Sequence, residues 1–266
     1  MQQLDESNPR TPSSSSLPSS LSTSKVASWE KDVANKIKSM LTKDSNRAEA
    51  RTEQSGPLII GIVGIPGSGK TTCSQILSDV LQEMRISTMI MPMDGYHYPL
   101  STLKSFDDAN TNTDDTTGMV YRRGAPDTFD SQSLLADLSA IKRGIETFVP
   151  DFDHSLGDPI LNAFKYDPAK AAVVICEGLY LLLENGHDND DDDDDGWKGI
   201  GDLLDFTIFI HANVDVCVQR LKIRNLCIPG YSKEEIELRC DAVDRVNAMT
   251  VLRSKSRADL IVDSVI

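Results

Sequence analysis

An α/β fold built on a parallel five-stranded sheet is predicted for this chain by three observations. From residue 58 onward, short apolar runs alternate with helix-like segments, which is typical of parallel strands joined by crossover helices. The first apolar run is followed at once by a glycine-rich segment and then by a helix-like one. The hydrophobic content, 39% of 266 residues, is enough for the core of one large domain. The predicted strands are 58–65, 86–93, 171–176, 205–210 and 259–263, and the predicted helices are 70–84, 130–144, 214–224 and 232–252.

The chain divides into a tail, an N-terminal helix and one large domain. Residues 1–27 are rich in serine and poor in apolar residues, so we expect them to be disordered. Apolar residues at helical spacing from Ser28 to Lys43 predict a helix that packs on the core, within an N-terminal helix and linker at 28–56. The domain at 57–266 has two interruptions, which are an insertion at 95–129 and an acidic loop at 186–196.

The two interruptions lead to different expectations. The insertion has poor periodicity, which predicts a loop or a substrate-binding subdomain. The acidic loop contains Asp188 and the run from Asp190 to Asp195, and we expect it to be a solvated, disordered segment. Calcium binding is the alternative, but the run lacks the glycine and terminal glutamate of an EF-hand loop.

Charge and cysteine content limit the class of partner. A formal net charge of −14 and a pI near 4.7 argue against nucleic acid and anionic membrane surfaces as partners. Five cysteines without C-x-x-C spacing indicate reduced thiols in a cytoplasmic protein. No apolar run approaches the roughly 18 residues that span a bilayer. We therefore expect a small-molecule substrate, and a homodimer is compatible with the sequence.

A phosphate-binding loop is predicted between the first strand and the first helix of the domain. The sequence from Gly64 to Thr71 matches G-x-x-x-x-G-K-[ST] at every fixed position. Backbone N–H groups of such a loop point at phosphate oxygens, Lys70 reaches the β- and γ-phosphates, and Thr71 holds Mg²⁺. The alternative is a plain glycine-rich turn. The predicted nucleotide-binding residues are Gly64, Ile65, Pro66, Gly67, Ser68, Gly69, Lys70, Thr71 and Thr72.

Two acids follow predicted strands at the edge where ligands of open parallel sheets bind. Asp94 comes directly after 86–93, and Glu177 directly after 171–176. Asp94 suits a base that takes the proton of an acceptor hydroxyl, and Glu177 suits a contact to Mg²⁺ or its water. The alternatives are a hairpin turn at Asp94 and a simple strand end at Glu177.

Two pairs of arginines supply positive charge near this edge. Arg220 and Arg224 lie one turn apart on a predicted helix before a Pro-Gly break, which is typical of a mobile lid that delivers guanidinium groups to phosphates. A solvated helix face is the alternative. Arg122 and Arg123 lie in the insertion and are candidates for gripping a polar acceptor, with an ordinary basic turn as the alternative.

Several segments together resemble the phosphoribulokinase/uridine kinase family of P-loop kinases, which includes the bacterial type of pantothenate kinase. The loop 64–71 and the strings 93–96, 150–153 and 175–178 occur in that family's order. The strings 123–130 and 152–159 are similar to those of a nucleoside/nucleotide kinase-like, fructose-transport-system kinase-like branch.

This resemblance implies a three-layer P-loop kinase fold with a lid, and ATP:alcohol phosphotransfer. It implies Asp94 as base, Asp153 in contact with the acceptor, and Arg220 with Arg224 on the phosphates. Uridine kinases usually have an R-D-x-x-x-R-G-R lid, whereas residues 224–232 read RNLCIPGYS, which argues against uridine.

Three further residues are candidates for the acceptor site. Tyr96 belongs to the family-like string 93–96, and His97 and His154 lie on loops near the expected site. A neutral imidazole there could hydrogen-bond a hydroxyl or a ring carbonyl. Surface or supporting histidines are the alternative. No third ligand is spaced to form a zinc site with either histidine.

The sequence thus favours an ATP- and Mg²⁺-dependent kinase acting on a nucleoside-, pantothenate- or sugar-like metabolite. Its main alternative is an ATPase or regulatory nucleotide-binding protein without a metabolite acceptor. A GTPase is disfavoured because no N-K-x-D string follows a strand. A third hypothesis is a pseudoenzyme or scaffold. It is disfavoured because the chain keeps the expected catalytic residues Lys70, Thr71, Asp94 and Glu177.

Overall fold

The computed structural model describes residues 29–48, 56–110, 117–153, 155–184, 196–226 and 232–264. The predicted disordered tail, His154, nearly all of the acidic loop and the Pro-Gly break of the predicted lid lie outside the described residues. So does Cys227, while the other four cysteines are buried and free.

The central sheet has five parallel strands, as the sequence predicts. Its order across the sheet is β2-β5-β1-β6-β7. β1 lies in the middle and is buried along its whole length, because helices cover both faces. The strands of this sheet are β1 (Leu58–Gly64), β2 (Thr88–Pro92), β5 (Val173–Gly178), β6 (Phe206–His211) and β7 (Leu260–Asp263).

Eight helices are described, and they pack on the two faces of the sheet. On one face, apolar side chains of the first two helices meet β1 and β6 in one core cluster. On the other face, α4 and α8 contribute to a second, larger cluster. The result is the predicted three-layer arrangement. The helices are α1 (Trp29–Ala48), α2 (Lys70–Glu83), α3 (Leu100–Ala109), α4 (Ser131–Lys142), α5 (Ile200–Leu203), α6 (Val214–Asn225), α7 (Lys233–Arg239) and α8 (Arg245–Arg253).

A two-stranded antiparallel hairpin, which we did not predict, lies beside the main sheet. It pairs β3 (Thr147–Asp153) with β4 (Asp158–Tyr166) and has an irregularity between Val149 and Asp151. Its sequence lacks a clean alternation of polar and apolar residues, since much of β4 is exposed. Without a buried face, the period-2 pattern that marks a strand is absent.

One other expectation needs correction, and the structure removes one alternative of a second. The predicted helix 232–252 is interrupted by a π-helical turn at Cys240–Asp244, which separates α7 from α8. Such turns insert one residue into a helix, and the apolar period does not reveal them. Of the two alternatives for the segment 95–129, the plain loop is wrong, because the segment contains α3 and a short 3₁₀ turn at Pro126–Thr128, and the substrate-binding subdomain stays a prediction.

Candidate active site

The phosphate loop has the backbone shape that its glycines predict. Gly67 and Gly69 have φ of 75° and 90°, a region that disfavours residues with a side chain. A Cβ on Gly67 would also lie 2.9 Å from the carbonyl oxygen of Cys217 in α6. Gly69 directly precedes α2, so the positive end of that helix opens onto the loop.

The Lys70 ammonium interacts with several charged side chains around the phosphate loop. Its ammonium donates a hydrogen bond to the carbonyl oxygen of Ile65, at 3.2 Å. Burial lowers the pKa of Lys70, while the carboxylates of Glu177 and Asp94 oppose that shift and Arg224 adds to it. Both predicted acids therefore act on the same ammonium group, as expected if they share one edge of the sheet.

Glu177 joins the loop to the sheet. It lies within β5, rather than just beyond it as predicted, and its neighbours in register are Ile62 of β1 and Pro92 of β2. The Thr71 hydroxyl donates a hydrogen bond to Glu177 Oε1 at 2.8 Å. Glu177 is only 8% exposed. Burial raises its pKa, nearby Asp94 adds to the rise, and Lys70 and Thr71 oppose it.

Asp94 lies on a short 3₁₀ turn, Met93–Tyr96, that directly follows β2. Because Pro92 pairs with Glu177, this turn begins beside the strand that holds the second acid. His97 comes next, and its Nδ1 is 2.9 Å from the backbone oxygen of Asp94. Burial lowers the pKa of His97, which favours the neutral form of its imidazole, and its contact with an acceptor stays a prediction.

The predicted magnesium ligands have suitable chemistry. Mg²⁺ prefers oxygen ligands and often takes only one or two carboxylates, with phosphates and water completing its shell. Thr71 Oγ and the Glu177 carboxylate are such oxygens, already in contact with each other. Among the described residues, no group of three or more His, Cys, Asp or Glu side chains forms a dedicated metal cluster. These residues fit an ion shared with a nucleotide.

The two arginines of α6 differ in position. Arg220 Nη1 donates to the carbonyl oxygen of Gly67 at 3.3 Å, so Arg220 contacts the phosphate loop. Arg224 Nε donates to Asn225 Oδ1, and its charge acts on Lys70 and Asp244. The structure thus brings both near the loop, in the helix that precedes the undescribed residues 227–231.

Other predicted acceptor residues have protein partners. The Tyr96 hydroxyl donates to Asp137 Oδ2 at 2.7 Å. Arg122 forms a two-point ion pair with Asp127, at 3.0 and 2.7 Å. Asp153 Oδ1 accepts hydrogen bonds from the backbone N–H groups of residues 155 and 156 in the hairpin loop. Their contact with an acceptor stays a prediction.

Arg123 links three segments of this region. Its guanidinium donates to the backbone oxygens of Gly157 and Tyr98 and to Asp158. It also lies over the ring of Phe152, 5.4 Å from the centroid. Arg123 therefore connects the turn at 121–125 to the hairpin, on the same side as His97.

The candidate site has two sides, which we name by the substrate that each would hold. The donor side, for ATP, consists of residues 64–71 with α2, β5 and α6. The acceptor side, for the alcohol, consists of residues 93–98, the turn 121–125, the β3–β4 hairpin and α7.

One residue of the acceptor side was missed from the sequence. Arg239, in α7, donates from Nη2 to the carbonyl oxygen of Arg123 at 2.9 Å. Its charge also lowers the pKa of His97, after the larger effect of burial. The string KEEIELR resembles an ordinary solvated helix, so nothing in the local pattern indicates that Arg239 contacts the turn 121–125.

Comparison with known proteins assigns the family. The model of the phosphoribulokinase/uridine kinase family matches residues 59–266. The chain belongs to this family. A Schizosaccharomyces pombe protein named provisionally as a uridine kinase is 31% identical over 222 residues, which cover 81% of this chain and 87% of that protein. Escherichia coli YggC is 30% identical over 207 residues, 77% of each chain.

A solved structure supports the same assignment. A protein from Silicibacter sp. TM1040, named provisionally as a fructose transport system kinase, superposes with a TM-score of 0.66 at 26% identity. The match covers 85% of this chain and 98% of that one. The chain is thus a P-loop phosphotransferase of the small-molecule kinase type, with ATP as the substrate implied by the family. In the described residues, no helix combines the length and apolar character needed to cross a membrane.

Proposed function

We propose that this protein transfers the γ-phosphoryl group of ATP to a hydroxyl of a small metabolite, with Mg²⁺ as cofactor. The observation that supports this proposal most is the hydrogen bond between Thr71 and Glu177, which joins the phosphate loop to β5. The strand beside β5 in the sheet is β2, and β2 leads directly into Asp94. A phosphate, a metal-binding pair and a carboxylate base would then share one edge of the sheet.

In this proposal the acceptor oxygen forms a bond to the γ-phosphorus, and the bond from that phosphorus to the bridging oxygen of ADP breaks. The proton of the acceptor hydroxyl passes to Asp94, and ADP leaves with the electron pair of the broken bond. Lys70 and Arg220, which donate to the carbonyl oxygens of Ile65 and Gly67 in the phosphate loop, would stabilise negative charge on the transferred group. Mg²⁺, held by Thr71 and Glu177, would neutralise charge on the phosphate oxygens.

The names of two relatives and the sequence of the predicted lid restrict the chemical class of the acceptor. The names of the Schizosaccharomyces pombe and Silicibacter proteins suggest hydroxylated acceptors, a nucleoside and a sugar. Residues 224–232 keep Arg224 but lack the second and third arginines of the R-D-x-x-x-R-G-R string usual in uridine kinases, which favours another acceptor for this chain. A nucleoside-, pantothenate- or sugar-like alcohol stays within the proposal.

The setting of the reaction is part of the proposal. The four described cysteines are buried and unpaired, which supports a reducing compartment such as the cytoplasm. The negative net charge favours small molecules over nucleic acids or anionic membranes as partners. A homodimer is compatible with these features, and size-exclusion chromatography with light scattering would determine the oligomeric state.

A metabolite-library screen tests the proposal. Purified protein, ATP and Mg²⁺ are incubated with pools of alcohols, and both ADP and phosphorylated products are measured by mass spectrometry. We expect one class of alcohols to gain a phosphoryl group in amounts that match the ADP formed. ADP matched only by inorganic phosphate in every pool would refute the kinase and favour the ATPase alternative.

A further inference from the structure

Positive charge on the acceptor side is unexpected in so acidic a protein, and it comes from two distant segments. The chain has a formal net charge of −14. Nevertheless the Arg123 guanidinium, in the turn 121–125, lies 5.4 Å from the ring centroid of Phe152, and that centroid lies 5.0 Å from the centroid of the His97 ring. Arg239, in α7, contacts the same turn, and the charges of both arginines lower the pKa of His97. The hydrogen bond from Arg239 to the Arg123 carbonyl joins residues 116 positions apart. The fold thus brings two cations together at the turn 121–125, next to the segment that follows Asp94.

The turn that receives Arg239 is held in place from several directions. Gly124 has φ of 107°, and its carbonyl oxygen accepts a hydrogen bond from the Tyr180 hydroxyl at 2.7 Å. Its N–H donates to Thr128 Oγ1 at 2.9 Å. The Arg239 contact is therefore made to a fixed backbone rather than to a loose surface loop.

The two arginines differ in how their donors are used. The Arg123 side chain is 10% exposed, and its guanidinium is committed to Asp158, Tyr98 and the hairpin loop. Within the described part of the chain, Arg239 makes one hydrogen bond, to a neutral carbonyl, and forms no ion pair. Because a guanidinium has five N–H donors, most of the donors of Arg239 are available to a ligand.

The surroundings of Arg239 suit an anion rather than a neutral group. A planar guanidinium matches the two oxygens of a carboxylate or phosphate, and its bonds to an anion are about twice as strong as bonds between neutral groups. His97, whose pKa the charge of Arg239 lowers, packs on the buried ring of Phe129, with ring centroids 3.8 Å apart and planes tilted by 35°. Asp244 attracts Arg239 without pairing closely with it.

We infer that Arg239 binds an anionic group of the acceptor, so that the phosphorylated substrate is an alcohol bearing a carboxylate or a phosphate. This inference rests on the proposed kinase function. It makes Arg239 a specificity-determining residue of the acceptor side, while Arg220 and Lys70 serve the phosphates of ATP. An anion bound at Arg239 would hold the acceptor in the pocket while its hydroxyl approaches Asp94.

The experiment compares matched acceptors that differ in charge. The wild-type protein is assayed with glycerol, D-glycerate and glycerol 3-phosphate, then with D-ribose, D-ribonate and D-ribose 5-phosphate, and with every hit of the library screen. We expect anionic alcohols to exceed neutral counterparts by roughly 10- to 100-fold in kcat/KM. The carboxylate and phosphate arms distinguish the two kinds of anion. Equal or better use of neutral alcohols overturns the inference and leaves the kinase function intact.

The variant Arg239→Gln is then assayed with the best anionic acceptor. We expect the KM for that acceptor to rise roughly 10- to 100-fold, with the KM for ATP within about twofold of wild type. Arg239→Lys should recover part of the loss, because it restores the charge without the planar fork. Arg143→Gln is the matched control, since Arg143 is exposed at the end of α4, near Gly56 at the opposite edge of the sheet.

Other outcomes are equally informative. If Arg239→Gln lowers kcat equally for anionic and neutral acceptors, together with the melting temperature, Arg239 only supports the turn 121–125 and the inference is wrong. If no alcohol of either charge gains a phosphoryl group while ATP is hydrolysed, the proposed function itself fails, and the inference fails with it.

Discussion

The donor and acceptor sides of this protein are built on different principles. On the donor side, most functional groups are backbone amides and side chains within one continuous segment, from Gly64 to Thr71, to which β5 adds Glu177 and α6 adds Arg220. On the acceptor side, side chains from distant segments hold one another. Arg123 bonds to Asp158 across 35 residues, and Tyr180 bonds to Gly124 across 56. The donor side can therefore be identified from a motif, whereas the acceptor side exists only once the chain is folded.

This difference suggests that the two sides can be disabled separately. Variants of the donor side should affect every acceptor equally, because ATP is the common substrate. Variants of the acceptor side should leave ATP binding largely intact. Single substitutions on each side test that separation, and the largest effect is expected at the lysine of the phosphate loop.

Replacing Lys70 with alanine should nearly abolish turnover. We expect a loss of about 10³- to 10⁵-fold, the size seen when a cation that stabilises phosphoryl transfer is removed. ADP formation with any active acceptor measures the effect. Lys104→Ala, on an exposed position of α3, is the control and should behave like wild type. A Lys70→Ala enzyme with more than a tenth of wild-type activity would show that the loop does not bind the transferred phosphate.

Replacing Asp94 with asparagine should lower turnover by about 10²- to 10⁴-fold, because the acceptor proton loses its base. ATP affinity, measured by calorimetry, should change little. Asp108→Asn, on an exposed position of α3, controls for the loss of one negative charge. Full activity of Asp94→Asn with the true acceptor would make the base assignment wrong.

Replacing Glu177 with glutamine should reduce turnover by about 10- to 100-fold and raise the Mg²⁺ concentration needed for half-maximal rate. The free energy of unfolding of Glu177→Gln, in contrast, should be equal to or higher than that of the wild type at neutral pH. Because the pKa of Glu177 is raised by folding, the folded state binds its proton more tightly than the unfolded state does. The ionised carboxylate therefore lowers the free energy of unfolding at pH values above 4.5, the ordinary pKa.

Melting temperatures measured at several pH values test whether ionisation of Glu177 destabilises the folded protein. The wild type should gain stability from this group as the pH falls through its raised pKa, and Glu177→Gln should lack that gain. At neutral pH the variant should melt at the same temperature as wild type or higher. A large drop in melting temperature at neutral pH would mean that the Thr71 contact outweighs the cost of burying the charge.

The smallest expected effects come from one glycine on each side. Gly67→Ala and Gly124→Ala both place a side chain at positive φ, and each should cost about 1–3 kcal/mol of unfolding free energy. Their added Cβ atoms would lie 2.9 Å from the Cys217 oxygen and 3.2 Å from Asn247 Nδ2. We expect Gly67→Ala to weaken ATP binding and Gly124→Ala to raise the KM of the acceptor. Identical kinetic effects would contradict the separation of the two sides.

The sequence predicted the main sheet because its strands are buried on both faces and flanked by clear helix and loop signals. It also predicted that Lys70, Thr71, Glu177 and Asp94 would lie at one edge, since the carboxyl ends of parallel strands meet there. The β3–β4 hairpin was missed because much of it is exposed, so its sequence lacks the alternation of polar and apolar residues that marks a strand with one buried face. Arg239 was missed because its role depends on a contact 116 residues away, which no local pattern encodes.

The most direct test of the central claim is a crystal structure with Mg²⁺ and a non-hydrolysable ATP analogue. We expect the phosphates to accept hydrogen bonds from the backbone amides of the loop, and Mg²⁺ to contact Thr71, with Glu177 bound to the ion or to one of its waters. We expect Asp94 to face the γ-phosphate across the space for an acceptor. A γ-phosphate separated from Asp94 by protein atoms would contradict the central claim.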